Sequence, residues 1–341
     1  MVSMKEIASI CGVSVATVSK ALSGKSDIGE ETRELICRKA EELGYLSNAA
    51  ARALKTNRTY NIGVLFTDEE NSGLTHEFFN AVLDSFKVEA ESSGYDITFI
   101  NRNVSGKQMS YLQHCLYRGV DGAVIACVHF QDSQIRELVD SGIPIVTIDH
   151  VFNNRPAVIS DNVAGMEALV KYAFSLGHRR IAYIHGNDCS VTENRLKGFY
   201  RACEELGLEV PEGYVRESKY RNREYSERIT GELLSLEEPP DCICYSEDYS
   251  CSFALGYLKK LGYRVPEDIS VIGYDNSFLA QLSLPRLTTY HQNTIEIGKT
   301  AAKKLIEYIE HPKTALPEVI TVRGKLVPGG SVSDITKVIC G

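Results

Sequence analysis

The side chains best suited to bind a small polar ligand follow apolar, β-rich segments of the chain. Asp149, Glu247 and Asp275 each end or follow such a segment, and Arg195 lies near the start of a predicted helix. In open parallel sheets, ligands bind beyond the carboxyl ends of the strands. Carboxylates and an arginine that meet there can form charge-assisted hydrogen bonds to paired hydroxyl groups. The pattern favours a polyhydroxylated ligand, although a helix cap or a solvated loop charge explains a single Asp about as well.

A second set of candidate contacts lies near the amino terminus. Ser14 can act as the N-cap of a helix over 15–22, because its hydroxyl can accept a hydrogen bond from an otherwise unpaired N–H group. An α-helix fits the major groove of DNA, and the residues at its start meet the base edges. The side chains at the exposed start of this helix are small or basic: Val15, Ala16, Thr17, Ser19 and Lys20.

Three predicted helices position these side chains. A helix over 5–11 is expected to turn Ile7, Ala8 and Ile10 inward, and Gly12 suits a tight turn before the helix over 15–22. Val18 and Leu22 are assigned to the core of this head, together with the apolar face of a third helix over 30–43. The order of helix, glycine turn and helix is that of a helix-turn-helix, although any three-helix cap gives a similar pattern.

From about residue 62 onward, short apolar runs alternate with helical stretches. The runs are 62–66, 96–101, 122–128, 144–149, 180–185, 242–245 and 269–274, with late strands expected in 287–292 and 318–327. Near-continuous apolar strands between helices indicate parallel sheets that are covered on both faces. We therefore predict an α/β body of two lobes, in which 158–161 forms a connection between the lobes rather than a central strand.

Composition and charge narrow the class of protein. The chain has 341 residues, of which 43% are hydrophobic and 24% are charged, as in ordinary globular domains. Residues 1–58 carry nine Lys and Arg against seven Asp and Glu, a net charge of +2. Since the whole chain has a net charge of −8, the remaining residues carry −10. This asymmetry predicts a mildly basic head on an acidic body. No apolar run approaches the ~18 residues of a membrane-spanning helix.

The amino terminus and the cysteines predict a cytoplasmic protein. The first residues include an acid at Glu6 and show no apolar segment typical of a signal peptide. The ten cysteines are scattered and contain no CxxC, so we interpret them as reduced.

Motifs of common enzyme classes are missing from the sequence. No two glycines are two residues apart, which excludes GxGxxG, and neither a phosphate-binding Walker loop nor a GxSxG elbow occurs. HExxH is absent, and the eight histidines show no metal-ligand spacing. We therefore predict a protein that is not an enzyme and needs no cofactor or metal.

Several segments resemble the lactose-repressor (LacI/GalR) family of transcriptional regulators. They are KEIA at 5–8, GVSVATVSKAL at 12–22, ELGY at 42–45 and NAAARAL at 48–54, and the similarity extends over essentially the whole chain. The resemblance implies a dimeric, ligand-responsive regulator with a helix-turn-helix head and a body like that of the periplasmic binding proteins. It also implies that Leu54, on a short helix over 48–55, wedges into a minor-groove base step and kinks the duplex.

The resemblance assigns DNA contacts to the head. They are Ser3, Ser14, Val15, Ala16, Thr17, Ser19, Lys20, Tyr45, Asn48 and Leu54, with Val15 and Ala16 as the main base readers. The family usually has arginine at the position of Lys20. Lysine cannot form the bidentate fork that arginine makes to guanine, so the family's operator preference does not carry over to this position.

The resemblance also assigns an effector site to the body. Its residues are His76, Asp149, Arg195, Tyr220, Glu247, Asp275 and Gln292. Arg195, three residues before Gly198, matches the family's effector-clamping arginine, and Tyr220 falls where some sugar-responsive members place a stacking ring. Glu247 replaces an asparagine common in the family and adds negative charge, and the stretch 68–76 is longer than usual. A carbohydrate is the effector class that these residues favour.

The predicted organisation follows from these assignments. We expect a DNA-binding head over 1–46, a hinge helix and linker over 47–60, one lobe over 61–160 plus 291–322, and another over 161–290 plus 323–335. Ligand binding is expected to close the lobes and change the spacing of the two hinge helices of a dimer, and thereby binding to a palindromic operator. A dimer is expected because no heptad pattern follows the last strand. The alternatives are a solute-binding receptor without DNA function and an α/β enzyme.

Overall fold

The computed structural model describes residues 2–22, 27–45, 58–67 and 73–337. The chain divides into two compact units, residues 1–59 and 60–341, which we call the head and the body. None of the helices in the described ranges is long and apolar enough to cross a bilayer. The predicted hinge helix over 48–55, with Asn48 and Leu54, lies outside the described residues, as does most of the long stretch 68–76.

The head contains three helices around one small core. They are α1 (Met4–Cys11), α2 (Val15–Leu22) and α3 (Glu30–Glu42). Ile7, Ala8, Val18, Ala21 and Ile36 are buried together, and Gly12 ends α1 in the left-handed conformation with φ 65°. The helix-turn-helix pattern is confirmed. The prediction that Ile10 faces inward is wrong: Ile10 is 55% exposed, because the buried face of α1 is centred between Ile7 and Ala8 and the helical repeat places Ile10 outside it.

The body begins with a six-stranded parallel sheet and the helices that cover it. In spatial order the strands are β13 (Val319–Val322), β7 (Ala157–Ser160), β6 (Ile145–Ile148), β5 (Gly122–Ala126), β1 (Asn61–Phe66) and β2 (Asp96–Phe99). The helices α4 (Glu77–Ser92) and α12 (Thr294–Glu310) cover one face, and α5 (Tyr111–Arg118) and α6 (Ser133–Val139) cover the other. A short hairpin joins β3 (Asn103–Val104) to β4 (Lys107–Gln108).

A second, four-stranded parallel sheet has the order β11 (Ser270–Ile272), β10 (Cys242–Tyr245), β8 (Ile181–His185) and β9 (Val215–Glu217). One face packs on α7 (Asn162–Ser175) and α8 (Ser190–Leu206), and the other on α9 (Arg223–Leu234) and α10 (Asp248–Lys260). The helix α11 (Phe278–Leu282) and the antiparallel pair β12 (Thr289–His291) and β14 (Lys325–Val327) complete the body, with short 3-10 helices at Gly73–Thr75 and Ile335–Lys337.

The α/β class and the parallel sheets are confirmed, but one prediction about them is wrong. Residues 158–161 were expected to connect the lobes, whereas Ala157–Ser160 forms β7, which pairs with both β6 and β13. The cause is the late strand β13: it returns to this edge of the sheet and places β7 between two neighbours. The lobe boundaries predicted from the sequence remain a prediction.

Candidate effector site and DNA-binding surface

A cavity of about 350 Å³ lies beyond the carboxyl ends of strands from both sheets. Its lining includes all seven predicted effector residues: His76, Asp149, Arg195, Tyr220, Glu247, Asp275 and Gln292. Five of them follow a strand and His76 directly precedes a helix, as expected for ligand sites of open α/β sheets. That these residues contact an effector stays a prediction.

Arg195 is held rigidly in the wall of this cavity. It is 4% exposed, its Nε donates to Asn162 Oδ1 at 2.8 Å, and its Nη1 donates to the Ser246 carbonyl oxygen at 2.6 Å. The guanidinium carbon lies 3.6 Å from the centre of the Tyr274 ring, which adds a cation–π contact. The close approach of α7 and α8 depends on Gly198, where a Cβ would come within 2.3 Å of the Val163 oxygen.

Asp275 lies next to this arginine. One of its oxygens, Oδ1, is 3.9 Å from Arg195 Nη2 and accepts a hydrogen bond from Gln292 Nε2 at 2.6 Å. The backbone of Asp275 has φ 107°, a conformation that L residues rarely adopt. Its backbone N–H donates to the Tyr290 carbonyl oxygen. Burial raises the pKa of Asp275 to about 6, although the positive charge of Arg195 acts in the opposite direction.

Glu247 is the second buried carboxylate of the cavity. It is 3% exposed, and its Oε1 accepts hydrogen bonds from the Arg221 backbone N–H and from Ser250 Oγ. Burial raises the pKa of Glu247 to about 7, and the negative charge of Asp275 contributes to the rise. The Arg221 guanidinium does not pair with this carboxylate but lies 3.9 Å from the centre of the Tyr249 ring.

Asp149 and Tyr220 line the cavity at the ends of different strands, after β6 and β9. Asp149 has φ 57°, and its Oδ1 accepts a hydrogen bond from the Ser160 backbone N–H at 2.7 Å. Burial raises the pKa of this carboxyl. The Tyr220 hydroxyl is 2.8 Å from Thr192 Oγ1, and its ring packs so closely on Gly186 that a Cβ there would lie 2.1 Å from the ring. Gly186 therefore leaves room for the tyrosine.

Two contacts join the halves of the body near the cavity. His150 Nδ1, which follows β6, is 2.9 Å from Ser190 Oγ at the start of α8. Glu77 Oε1 in α4 accepts a hydrogen bond from the Phe278 backbone N–H at 2.6 Å. Each contact links a residue next to the six-stranded sheet, His150 or Glu77, to the start of a helix next to the four-stranded sheet, α8 or α11.

Sequence reasoning missed an aromatic part of the cavity wall. Phe78, Phe79 and Phe130 line the cavity, and Phe130 stacks on His150 with ring centres 4.0 Å apart. Phe78 and Phe79 are in α4 and Phe130 is in a loop, and an apolar residue at such a position carries no signal that separates a ligand contact from a core residue. Conversely, Asn101, Arg102, Asp248 and Asn276, which also follow predicted strands, are not part of the lining. Asp248 is buried and accepts hydrogen bonds from Ser277 and Thr289.

In the head, the predicted DNA-contacting residues of α2 lie on or near its surface. Val15 is 41% exposed, and Ala16 and Lys20 are exposed. The predicted cap is confirmed: Ser14 Oγ accepts a hydrogen bond from the Thr17 backbone N–H at 3.1 Å. The two hydroxyls of Ser14 and Thr17 are 2.9 Å apart.

The remaining predicted DNA contacts have other partners in the head. Lys20 Nζ lies 2.7 Å from Asp27 Oδ2. Ser3 forms a capping box with Glu6, and Tyr45 is half-buried against the head's core. Ser19 is also half-buried. These contacts position the side chains; their role in DNA binding stays a prediction.

Comparison with known proteins adds to this geometry. Residues 3–48 match the model of bacterial regulatory proteins of the lacI family, and residues 170–332 match that of the periplasmic binding protein-like domain. The HTH-type transcriptional repressor PurR of Vibrio vulnificus (strain CMCP6) is 30% identical over 332 residues, which cover 94% of this chain and 97% of that protein.

Solved structures match over the same length. The transcriptional regulator CelR in complex with cellobiose has a TM-score of 0.70 and 25% identity, covering 97% of this chain and 100% of that one. The lac repressor dimer bound to operator and the anti-inducer ONPF has a TM-score of 0.80 and 23% identity, covering 97% and 99%.

A helix-turn-helix head followed by an effector-binding α/β body defines a DNA-binding transcriptional repressor. The chain belongs to the LacI family of bacterial regulatory proteins. The relatives named above are transcriptional repressors or regulators and not enzymes, in agreement with the missing enzyme motifs.

Proposed function

We propose that this repressor binds a palindromic operator as a homodimer and that a carbohydrate bound in the cavity of the body controls its operator affinity. The observation that carries the proposal is the cavity itself, in which Asp149, Glu247, Asp275 and Gln292 present hydrogen-bond acceptors around the fixed guanidinium of Arg195. Binding at this cavity can change operator affinity only if the effector binds two states of the protein unequally.

The chemistry of the lining supports a carbohydrate. Each sugar hydroxyl can donate to a carboxylate and accept from a guanidinium N–H group, and charge-assisted bonds of this kind are strong. The Tyr220 ring offers an apolar face to the C–H side of a pyranose. A volume of about 350 Å³ suits a small ligand.

A flat nitrogen heterocycle, such as a purine base, is the second candidate effector. The stacked pair Phe130 and His150 in the cavity wall supports it, because aromatic surface binds the face of a planar base. We favour the carbohydrate because the lining is rich in acceptors, and a sugar brings more donors than a base.

The links between the halves of the body support control by closure. The contacts of His150 with Ser190 and of Glu77 with the Phe278 N–H exist only when the two elements of each pair are close. A ligand that contacts residues on both sides of the cavity favours the arrangement in which these bonds form. In this proposal the closed body differs from the open one in the spacing of the two hinge segments of the dimer.

An exposed apolar surface supports the dimer. Phe278 and Leu282 of α11 are each 62% exposed, and Leu284 beyond the helix is 96% exposed. Large apolar side chains clustered at the surface mark interaction sites more often than isolated ones do. A second copy of the chain is the partner that a two-fold symmetric operator requires.

An operator assay tests the function as a whole. Full-length protein is incubated with a library of palindromic duplexes, and the selected duplex is then titrated in gel-shift experiments at several salt concentrations. We expect salt-dependent, sequence-selective binding that is lost in Leu54→Ala, the predicted minor-groove wedge. Leu116→Ala is a matched control, because this exposed leucine belongs to the body.

A panel of sugars and purine bases is then added to the operator complex. Release or tightening by a sugar supports the proposal, and a response to a base alone assigns the cavity to heterocycles. Ligand binding without any selective DNA binding would leave the solute-receptor alternative.

A further inference from the structure

The cavity lining contains more carboxylates than Arg or Lys side chains. Asp149, Glu247 and Asp275 each bring a carboxylate, and Gln292 brings an amide oxygen. Arg195 Nε donates to Asn162 Oδ1 and Nη1 donates to the Ser246 carbonyl oxygen. Its Nη2 lies 3.9 Å from Asp275 Oδ1. Among the described residues, no Lys or Arg side-chain nitrogen lies within 4.0 Å of a carboxylate oxygen of Asp149 or Glu247.

Gln292 supplies an independent sign that a donor is missing. It is 3% exposed and lines the cavity, and its Nε2 donates to Asp275, which fixes the orientation of the amide. Its Oε1 is buried and has no hydrogen-bond partner in the part of the chain that the structure describes. A buried acceptor without a donor destabilises the folded protein. A ligand with an N–H or O–H group at this point would remove that cost.

The charge of the lining distinguishes a neutral hydroxyl group of a ligand from a positively charged ammonium group. A neutral hydroxyl satisfies an acceptor but leaves the carboxylate charges in place, whereas an ammonium group brings three donors and a positive charge. Arg221, the other arginine of the lining, is stacked on Tyr249 and forms no ion pair with Glu247, so this side of the cavity has room for a cation from a ligand.

We infer that the effector is an amine-bearing sugar, whose ammonium group binds between Glu247, Asp275 and the Oε1 of Gln292. The inference rests on the proposed carbohydrate function and narrows its ligand class. Arg195 would bind hydroxyl oxygens, and the acidic side of the cavity would bind the amine.

Calorimetry on the full-length protein at about pH 7 tests the inference. The probes are three sets of sugars built on glucose, galactose and mannose: the free hexose, the 2-amino-2-deoxyhexose and its N-acetyl derivative. The three members of a set share ring stereochemistry and differ in whether position 2 can carry a positive charge. We expect the amino sugar of one set to bind at least about tenfold more tightly than both of its neutral counterparts.

Two variants locate the charge. Glu247→Gln keeps an oxygen that can accept from the Arg221 N–H and from Ser250, but it removes the negative charge, so the preference for the amino sugar should fall to less than about threefold. Asp188→Asn removes an exposed carboxylate of the same lining, where water screens the charge, and should reduce the preference less. A thermal melt of each variant confirms that it is folded.

The outcomes separate the inference from the proposed function. If a neutral hexose or its N-acetyl form binds as tightly as the amine, the inference is overturned while the carbohydrate function stands. An unchanged preference in Glu247→Gln overturns the assignment of the ammonium group to this carboxylate. If none of the nine sugars binds, both the inference and the carbohydrate class are wrong. The wild-type comparison decides the inference even if a variant does not fold.

Discussion

The head and the cavity both present charged side chains to a ligand, but they hold these side chains in different surroundings. Lys20 of the head pairs with Asp27 on the surface, where the two side chains are 47% and 52% exposed. Arg195 of the cavity is 4% exposed and is bound by Asn162, Ser246 and Tyr274. Water screens the Lys20–Asp27 pair, whereas Arg195 lies in a buried site where charges interact strongly.

In the proposed function, this difference determines how each region binds its ligand. Lys20 can exchange its partner Asp27 for a DNA phosphate or base at little cost, because an exposed ion pair contributes about 0–1 kcal/mol to stability. The charges of the cavity are mostly buried, so the donors that a ligand brings interact with them strongly. Single substitutions should therefore have large effects in the cavity and small effects in the head.

The largest effect is expected for Arg195→Ala. The substitution leaves Asp275 and its neighbouring carboxylates without their cation, and truncating one partner of a buried charge pair typically costs about 2–5 kcal/mol of ligand binding. The response of the operator complex to the sugar that binds wild-type protein should disappear, while operator binding remains. Gel-shift titration with and without that sugar measures both properties.

Lys197→Ala is the matched control for this prediction, because it is on the same helix but its side chain is 62% exposed. It should keep the response. If Arg195→Ala also responds to the sugar, Arg195 is not part of the effector site.

The next effect concerns pH and the stability of the ligand-free protein. The pKa of Glu247 is raised from 4.5 to about 7 in the folded state, so folding retains its proton and stability falls as pH rises from about 5 to 8. A shift of this size corresponds to roughly 3 kcal/mol. Glu247→Gln should remove much of this loss, as measured by urea unfolding at both pH values.

Ser250→Ala provides the opposite control. The Ser250 hydroxyl stabilises the ionised form of Glu247, so its removal should steepen the fall in stability with pH. Equal pH slopes in wild-type protein and Glu247→Gln would contradict the assignment of the loss to this carboxyl.

A smaller effect is expected at the N-cap of α2. Ser14→Ala removes the hydrogen bond to the Thr17 N–H and should cost about 1 kcal/mol of local stability. Hydrogen exchange of the α2 amides in the full-length protein measures this loss. Ser9→Ala, at an exposed position within α1, should leave these amides unchanged. Equal exchange rates in the two variants would mean that the cap does not stabilise α2.

The smallest effect is expected for the surface pair of the head. Asp27→Asn releases Lys20 for DNA and should raise operator affinity about twofold at low salt. Lys20→Ala should lower affinity and reduce the slope of log affinity against log salt by about one if the lysine contacts a phosphate. Salt-dependent gel shifts distinguish the two variants, and an unchanged slope in Lys20→Ala would exclude such a contact.

The head and the body also differ in how much of their structure could be predicted from the sequence. The bounds of α2 and the cap by Ser14 agree with the sequence-based prediction because they depend on neighbouring residues. The role of Ala157–Ser160 was misinterpreted because its central position in the sheet depends on β13, more than 150 residues later in the chain. Which polar residues at strand ends line the cavity was only partly predictable, since Asp248 and Asp275 have the same local pattern but different surroundings.

By itself, the amino-acid sequence determined the helices of the head, the alternation of apolar strands with helices, and the family, because caps, periodicity and motifs are local properties of a chain. Only the tertiary structure decided that Asp149, Glu247, Asp275 and Gln292 meet around Arg195 and that burial raises the pKa of these three carboxyls. The physical reason is that residues far apart in the chain approach one another only when the strands pair, and the loss of water around a carboxyl depends on everything packed around it.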